Sequence, residues 1–213
     1  MQAHGEPGLR RPAASRATQA ARPPGGCRQV IGIAFRTTLA AAQNGDEAAF
    51  TRLFRDIQPA LLRYLRVLAP EAAEDVASET WLRVVNHLTG FEGDEDAFRA
   101  WLFTIARRQV IDWQRSRARR PAVPLPDSED KIPLTAPDAA DLALERISTE
   151  SALALVSALP AEQAEIIMLR VVAGLDTVDV ARIVGKTPGA VRVAAHRGLR
   201  RLAARLERAG VTR

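Results

Sequence analysis

Cysteine, lysine and late aromatic residues are what this 213-residue sequence has least of. A lone Cys27 excludes an intrachain disulfide framework and a cysteine-rich zinc site, and an inert, exposed thiol is expected there. The three histidines, His4, His87 and His196, are too dispersed for a triad or a metal cluster. No glycine loop of the phosphate-cradling type is present, so no cofactor and no autonomous catalysis is expected. No apolar run approaches the roughly 18 residues that cross a bilayer, and the N-terminus lacks the apolar core of a secretory signal. The expectation is a cytoplasmic chain with no membrane insertion.

Lysine occurs only at Lys131 and Lys186, so the net charge of +5 is carried by arginine. That charge is partitioned. Residues 1–40 sum to +5, 41–96 to −6, 97–120 to +6, 121–165 to −7 and 166–213 to +7. Two compact basic segments separated by an acidic one suggest two places that touch phosphate and a spacer that avoids it. Solvated helix faces would give the same blocks.

No aromatic residue lies beyond Trp113, whereas nine of the ten fall between Phe50 and Trp113. The chain therefore divides into an aromatic-rich half and an aromatic-free half. Residues 1–28, rich in Pro, Gly, Ala and Arg, have no apolar period, and the disordered extension is drawn to residue 36. Apolar residues from Ala48 to Leu68 recur at helical spacing, with Pro59 expected to bend that helix or start a fresh turn. A second helix is expected over about 71–88, with Val76, Thr80, Trp81, Val84, Val85 and Leu88 inward. A third is expected over about 97–116 on Phe98, Trp101, Leu102, Ile105, Val110 and Trp113. Five prolines between Pro121 and Pro137, with Asp127, Glu129, Asp130 and Asp138 among them, mark an extended acidic linker. Four helices should follow: about 140–159, a second opened by Pro160 and closed by Gly174, 177–184, and 188–208. The fold class is all-α, two small helical domains joined by a flexible acidic linker. The domains are drawn at 37–118 and 140–208, with the linker at 119–139.

The last two helices satisfy the constraints of a helix-turn-helix. With Thr177 first, Ala181 is fifth, where a second helix crossing overhead demands a small side chain. Gly185 is ninth, where the turn demands a positive φ. Val191 is fifteenth and closes the small core with Val180 and Val184. Asp176 and Asp179 make a capping-box-like start, and Thr187 with Pro188 opens the last helix. Val191, Ala195, Leu199, Leu202 and Leu206 should run inward. Arg192, Val193, His196, Arg197, Arg200 and Arg201 then face outward, a basic surface suited to DNA.

The N-terminal half carries Ala73-Glu74-Asp75-Val76-Ala77-Ser78-Glu79-Thr80-Trp81-Leu82-Arg83, followed by Phe98-Arg99-Ala100-Trp101-Leu102-Phe103-Thr104-Ile105-Ala106-Arg107-Arg108. Together with Leu159-Pro160 and Gly185-Lys186-Thr187-Pro188-Gly189-Ala190-Val191-Arg192, these segments resemble bacterial RNA polymerase sigma factors of the extracytoplasmic-function (ECF) group, part of the sigma-70 family. The resemblance covers about residues 38–207. It implies a specificity subunit that binds core RNA polymerase, selects promoter DNA and melts it.

Residue by residue, the resemblance implies that Asp75, Glu79 and Arg83 meet the polymerase clamp, with Val76 and Trp81 in the core. Arg107, Arg108, Gln109 and Arg115 are implied to read and grip the −10 region, with Arg108 and Ala77-Ser78 departing from common family residues. Lys186, Thr187, Arg192, His196, Arg197 and Arg200 are implied to contact the −35 element, and Ala194 stands where many relatives carry arginine. Residues Thr89 to Asp96 match a loop that holds a flipped −10 base, but Asp94-Glu95-Asp96 read better as a helix start favoured by the dipole. Trp101 and Trp113 read as core anchors more than stacking platforms. The linker would thread the RNA exit path, and an anti-sigma factor is an implied partner. The alternative is a stand-alone helix-turn-helix transcriptional regulator, and a weaker one is an adaptor that binds polymerase without DNA.

Overall fold

The computed structural model describes residues 32–119 and 149–208, and every regular element within them is helical. Cys27, the acidic linker with Asp127, Glu129 and Asp130, and the start of the helix expected from Ala140 lie outside the described residues. Among the described residues no helix is long and apolar enough to cross a membrane.

A 3-10 turn, Gly32–Ala34, leads into α1, Phe35–Gln43. Helical structure thus begins inside the stretch assigned to the disordered extension, and the fold claims residues 32–36. The cause is remote in sequence. Phe35 is buried with its ring 5.7 Å from that of Phe98, and the Gly32 N–H donates to Glu95 Oε2 at 3.0 Å. Phe35 opens a short apolar period with Leu39 and Ala42, but the ring and carboxylate that fix it lie some sixty residues downstream.

Helix α2, Glu47–Leu68, starts where the Asp46 side chain accepts from the Ala49 N–H at 3.0 Å. It buries Leu53, Ile57, Leu61, Tyr64 and Leu65. Pro59 sits on its exposed side and the helix runs through it without a fresh start; the lost backbone bond there faces water, which can replace it. A 3-10 turn, Pro70–Ala72, precedes α3, Ala73–His87. Val76, Thr80, Trp81 and Val84 are buried, and the Thr80 hydroxyl donates to the Val76 carbonyl at 2.7 Å. Val85, expected inward, is 49% exposed, because Val84 takes the core position and its neighbour falls 100° further round. Helix α4, Glu95–Arg119, packs across α2 and α3. The Ala97 N–H donates to the Asp94 carboxylate at 2.9 Å, so Asp94 does act at the helix start.

In the second half, α5 covers 149–157 and α6 spans Ala161–Ile167, with Pro160 just before its first turn. Helix α6 widens into a π-helical segment, Met168–Val172, before Gly174 takes a positive φ of 76°. Helix α7, Thr177–Val184, and α8, Pro188–Arg208, follow. The Asp176 side chain accepts from the Asp179 N–H at 2.7 Å, and Gly185 makes the turn with φ 70°. Only half of a capping box forms, since the Asp179 carboxylate pairs with Arg182 at 2.6 Å instead. Thr187 Oγ1 accepts from the Ala190 N–H at 3.2 Å and opens α8.

The inward stripe of α8 differs from the one expected. Val191, Ala194 and Gly198 are buried and Leu202 half-buried, while Leu199 is 51% exposed. Gly198 decides this: its missing side chain lets α8 close onto Ile167 of α6. The apolar cores of the two halves are continuous, joining Tyr64 and Phe103 to Met168, Leu169, Val180 and Val191.

Candidate nucleic-acid interface

The turn at Gly185 and the cap at Thr187 start α8, which packs Val191, Ala194 and Gly198 on the core and leaves its opposite face to solvent. Arg192, His196 and Arg200 recur four residues apart, with Val193 and Arg197 beside them, and all five are exposed. Val193 is 50% exposed amid this basic stripe, an apolar group where solvation alone would favour a polar one. Lys186 and Thr187 lie at the helix start, Lys186 pairing with Glu162 at 3.1 Å and Thr187 acting as the cap. Arg197 borders a groove between α6 and α8 lined also by Pro160, Gln163 and Ala190. Arg201 turns aside and donates to Gln163 Oε1 at 2.9 Å. The surface is thus a cationic strip with one methyl-bearing contact, able to meet phosphates and base edges together. Ala194 is buried, so the surface is narrower there than an arginine would make it.

The four residues singled out on α4 do not converge. Arg108 and Arg115 share one exposed stripe with Asp112 and Arg119, at i, i+4, i+7 and i+11. Arg115 lies 3.9 Å from Asp112, a weak exposed pair that leaves it available. Gln109 is half-buried about a quarter-turn round the helix from that stripe. Arg107 is drawn to the other half of the molecule, where its Nε donates to Glu165 Oε1 at 2.7 Å. Tyr64 donates to the same oxygen at 3.3 Å. Burial first, then the Glu165 charge, push the Tyr64 phenol well above its usual value, so the hydroxyl keeps its proton.

Aromatic packing fixes the α4 base. Phe91 stacks on Trp101 with centroids 5.0 Å apart, and Trp101 is half-buried as an anchor. Trp113, also half-buried, carries the Arg117 guanidinium 5.5 Å over its ring. The loop between α3 and α4 is held from outside: both Leu88 O and Phe91 O accept from Gln43 Nε2, at 2.9 and 2.8 Å. Its Glu92 and Asp94 are exposed, while Glu95 is buried against Arg99. Gln43 was not among the candidates, since a glutamine at a helix end carries no sequence signal for so distant a loop.

On α3, Asp75, Glu79 and Arg83 are exposed on one stripe with Ser78, Leu82 and Asn86. Arg83 Nε pairs with Glu79 at 3.2 Å, and Trp81 faces away, donating from Nε1 to Gln58 Oε1 at 2.6 Å. Leu82 is 60% exposed in the middle of that stripe, with Val85 beside it. Both were missed as candidates. The available signal was an apolar residue at the i+3 position from Glu79 on an otherwise polar face. A charged rim around an exposed leucine suits a protein partner better than phosphate. Among the described residues no group of three His, Cys, Asp or Glu side chains gathers where a metal could sit.

Comparison with known proteins matches residues 53–120 to the family model for sigma-70 region 2 and residues 149–202 to that for sigma-70 region 4. The chain is 35% identical over 179 residues to the ECF RNA polymerase sigma factor SigD of Mycobacterium tuberculosis, covering 81% of this chain and 84% of that one. It is 36% identical over 180 residues to the ECF RNA polymerase sigma factor ShbA of Streptomyces griseus, covering 78% and 92%. In fold it is similar to CnrH as solved in complex with the cytosolic domain of CnrY, with a TM-score of 0.56 and 24% identity over 82% of this chain and 97% of that one.

Proposed function

This chain belongs to the ECF sigma factors of the sigma-70 family and acts in promoter recognition and transcription initiation; from that premise we propose which of its surfaces do each part of the work. The α8 strip of Arg192, Val193, His196, Arg197 and Arg200, with Lys186 and Thr187 at its start, reads the −35 element in the major groove. The arginines supply bidentate donors for guanine and charge for phosphate, and Val193 supplies an apolar contact for a thymine methyl. Exposure of the whole strip on one side of a capped helix is the observation that carries this reading.

The exposed α4 stripe of Arg108 and Arg115 takes the −10 strand, with Arg107 joining it when released from Glu165. Gln109, half-buried about a quarter-turn from that stripe, flanks the same strand with its amide. The α3 stripe of Asp75, Glu79 and Arg83, extended by Leu82 and Val85, docks on core polymerase. Residues 37–118 then serve polymerase and the −10 region, residues 140–208 serve the −35 element, and the linker joins the two. Nucleotide addition belongs to the core enzyme, and this chain supplies promoter choice and strand capture. Family membership carries one more expectation, a cognate anti-sigma factor that covers these surfaces.

The test is in vitro transcription with core RNA polymerase on genomic fragments, followed by mapping of start sites. Initiation at discrete positions that share −35 and −10 elements supports the assignment. Tight sequence-specific binding by the free protein with no polymerase affinity would overturn it.

A further inference from the structure

The contact between Glu165 and the pair Tyr64 and Arg107 joins residues about a hundred and about sixty positions apart, and it crosses from one half of the molecule to the other. Arg99, Arg115 and Arg117 of the same helix pair within their own half, with Asp56, Asp112 and Glu71. Only part of the pair is open to water, with side-chain exposures of 26% for Arg107 and 15% for Glu165. Salt therefore screens it less than a surface pair. Around it, Val67 of α2 packs on Leu159, Ala164 and Ile167.

Considered without Glu165, the feature is an anion cradle. It has a permanently charged guanidinium, a phenol hydroxyl that stays protonated, and apolar walls that weaken competition from water. Arg107 lies on α4, the helix assigned to the melted strand, and Tyr64 on α2, which packs beside it. A carboxylate presents the same kind of acceptor oxygen to such donors as a DNA phosphate does. We propose that Tyr64 and Arg107 form a binding site for a backbone phosphate of the promoter strand, and that Glu165 occupies it as an internal substitute when the two halves are closed. Closure and strand capture then compete for one cradle. The free protein holds DNA weakly, and engagement on polymerase frees the site by drawing the second half away.

This inference rests on the assignment of α4 to the strand, and its test keeps the two apart. The full chain, labelled in both halves for energy transfer, is titrated with a short single-stranded DNA of mixed sequence, since phosphate contacts carry no sequence. Glu165→Gln should lower transfer and raise strand affinity roughly 3- to 10-fold. Arg107→Gln should also lower transfer, but should weaken strand binding and reduce its log–log salt slope by about 0.7. The reversed pair, Arg107→Glu with Glu165→Arg, should regain the wild-type transfer while strand binding stays weak. It also shows that loss of transfer in the single variants is not loss of folding. Unchanged transfer and affinity in Glu165→Gln, or recovery of strand binding in the reversed pair, would overturn the proposal. The wild-type chain with core polymerase is run alongside. Promoter-specific initiation there, with a flat Glu165→Gln response, removes only this cradle; no initiation removes the functional reading itself.

Discussion

Gly198 and Ile167 touch so closely that a Cβ at Gly198 would lie 2.6 Å from Ile167 Cδ1 and 3.4 Å from Gln163 Cβ. This crossing of α8 over α6 sets which face of α8 turns inward and so which face is left for DNA. Alanine would favour the helix by about 0.5–1 kcal/mol. The contact is with a buried side chain, however, and overpacking of that kind costs about 1–3 kcal/mol. Gly198→Ala should therefore lose about 1 kcal/mol in urea unfolding, and Gly198→Val distinctly more. A stabilised alanine variant would show that α6 yields and that the crossing is loosely set.

Arg99 anchors a buried charge cluster on α4. Arg99 pairs with Asp56 at 2.5 Å and with Glu95 at 3.5 Å, and one oxygen of each carboxylate has no hydrogen bond. Burial, then Glu95, hold the Asp56 carboxyl above its usual value, against the pull of Arg99. The folded value lies above the unfolded 3.8, so protonation favours the fold. That contribution is complete below 3.8 and is lost as pH rises through the folded value. The stability of wild type relative to Asp56→Asn should thus grow as pH is lowered from neutrality toward 3.8; a difference that stays level with pH would contradict it. Removing the guanidinium in Arg99→Met strands two carboxylates and should cost about 3 kcal/mol or more.

On α8, the role of Val193 can be isolated chemically. Replacing thymines in the −35 element by deoxyuridine removes only the 5-methyl group. If Val193 covers one of them, wild type should lose about 1–2 kcal/mol of promoter affinity at that position, while Val193→Ala should lose nothing further. Arg192→Ala and Arg200→Ala should each lower the salt slope of duplex binding by about 0.9 if they meet phosphate. Equal sensitivity of both proteins to uracil at every position would remove Val193 from the interface.

The stripe on α3 predicts a separation of functions. Leu82→Asp should weaken binding to core polymerase by more than about 1 kcal/mol, measured by fluorescence anisotropy, with thermal stability almost unchanged because the side chain is exposed. Glu79→Arg should act in the same direction by placing like charge beside Arg83. Normal polymerase binding by both variants would move the docking surface elsewhere.

Much of this was readable along the chain, and the exceptions share a cause. The caps at Asp94, Asp176 and Thr187 and the turn at Gly185 are local, and local chemistry marks them. Val85 and Leu199 were assigned inward because periodicity admits several neighbouring stripes, and only a packed partner selects among them. Phe35 and Gln43 were overlooked because their partners lie 63 and 45 or more residues downstream.

By itself the sequence determined that this chain is helical, that it comes in two halves, that the second half carries a helix-turn-helix, and which family it resembles. Those properties depend on steric and charge preferences repeated within a few residues. Tertiary structure alone decided that Gly198 orients α8, that Arg99 holds two buried carboxylates, and that Arg107 faces Glu165 instead of open solvent. Each of these depends on how far apart two helices lie and which sides they show each other, and that is settled by the whole core packing at once.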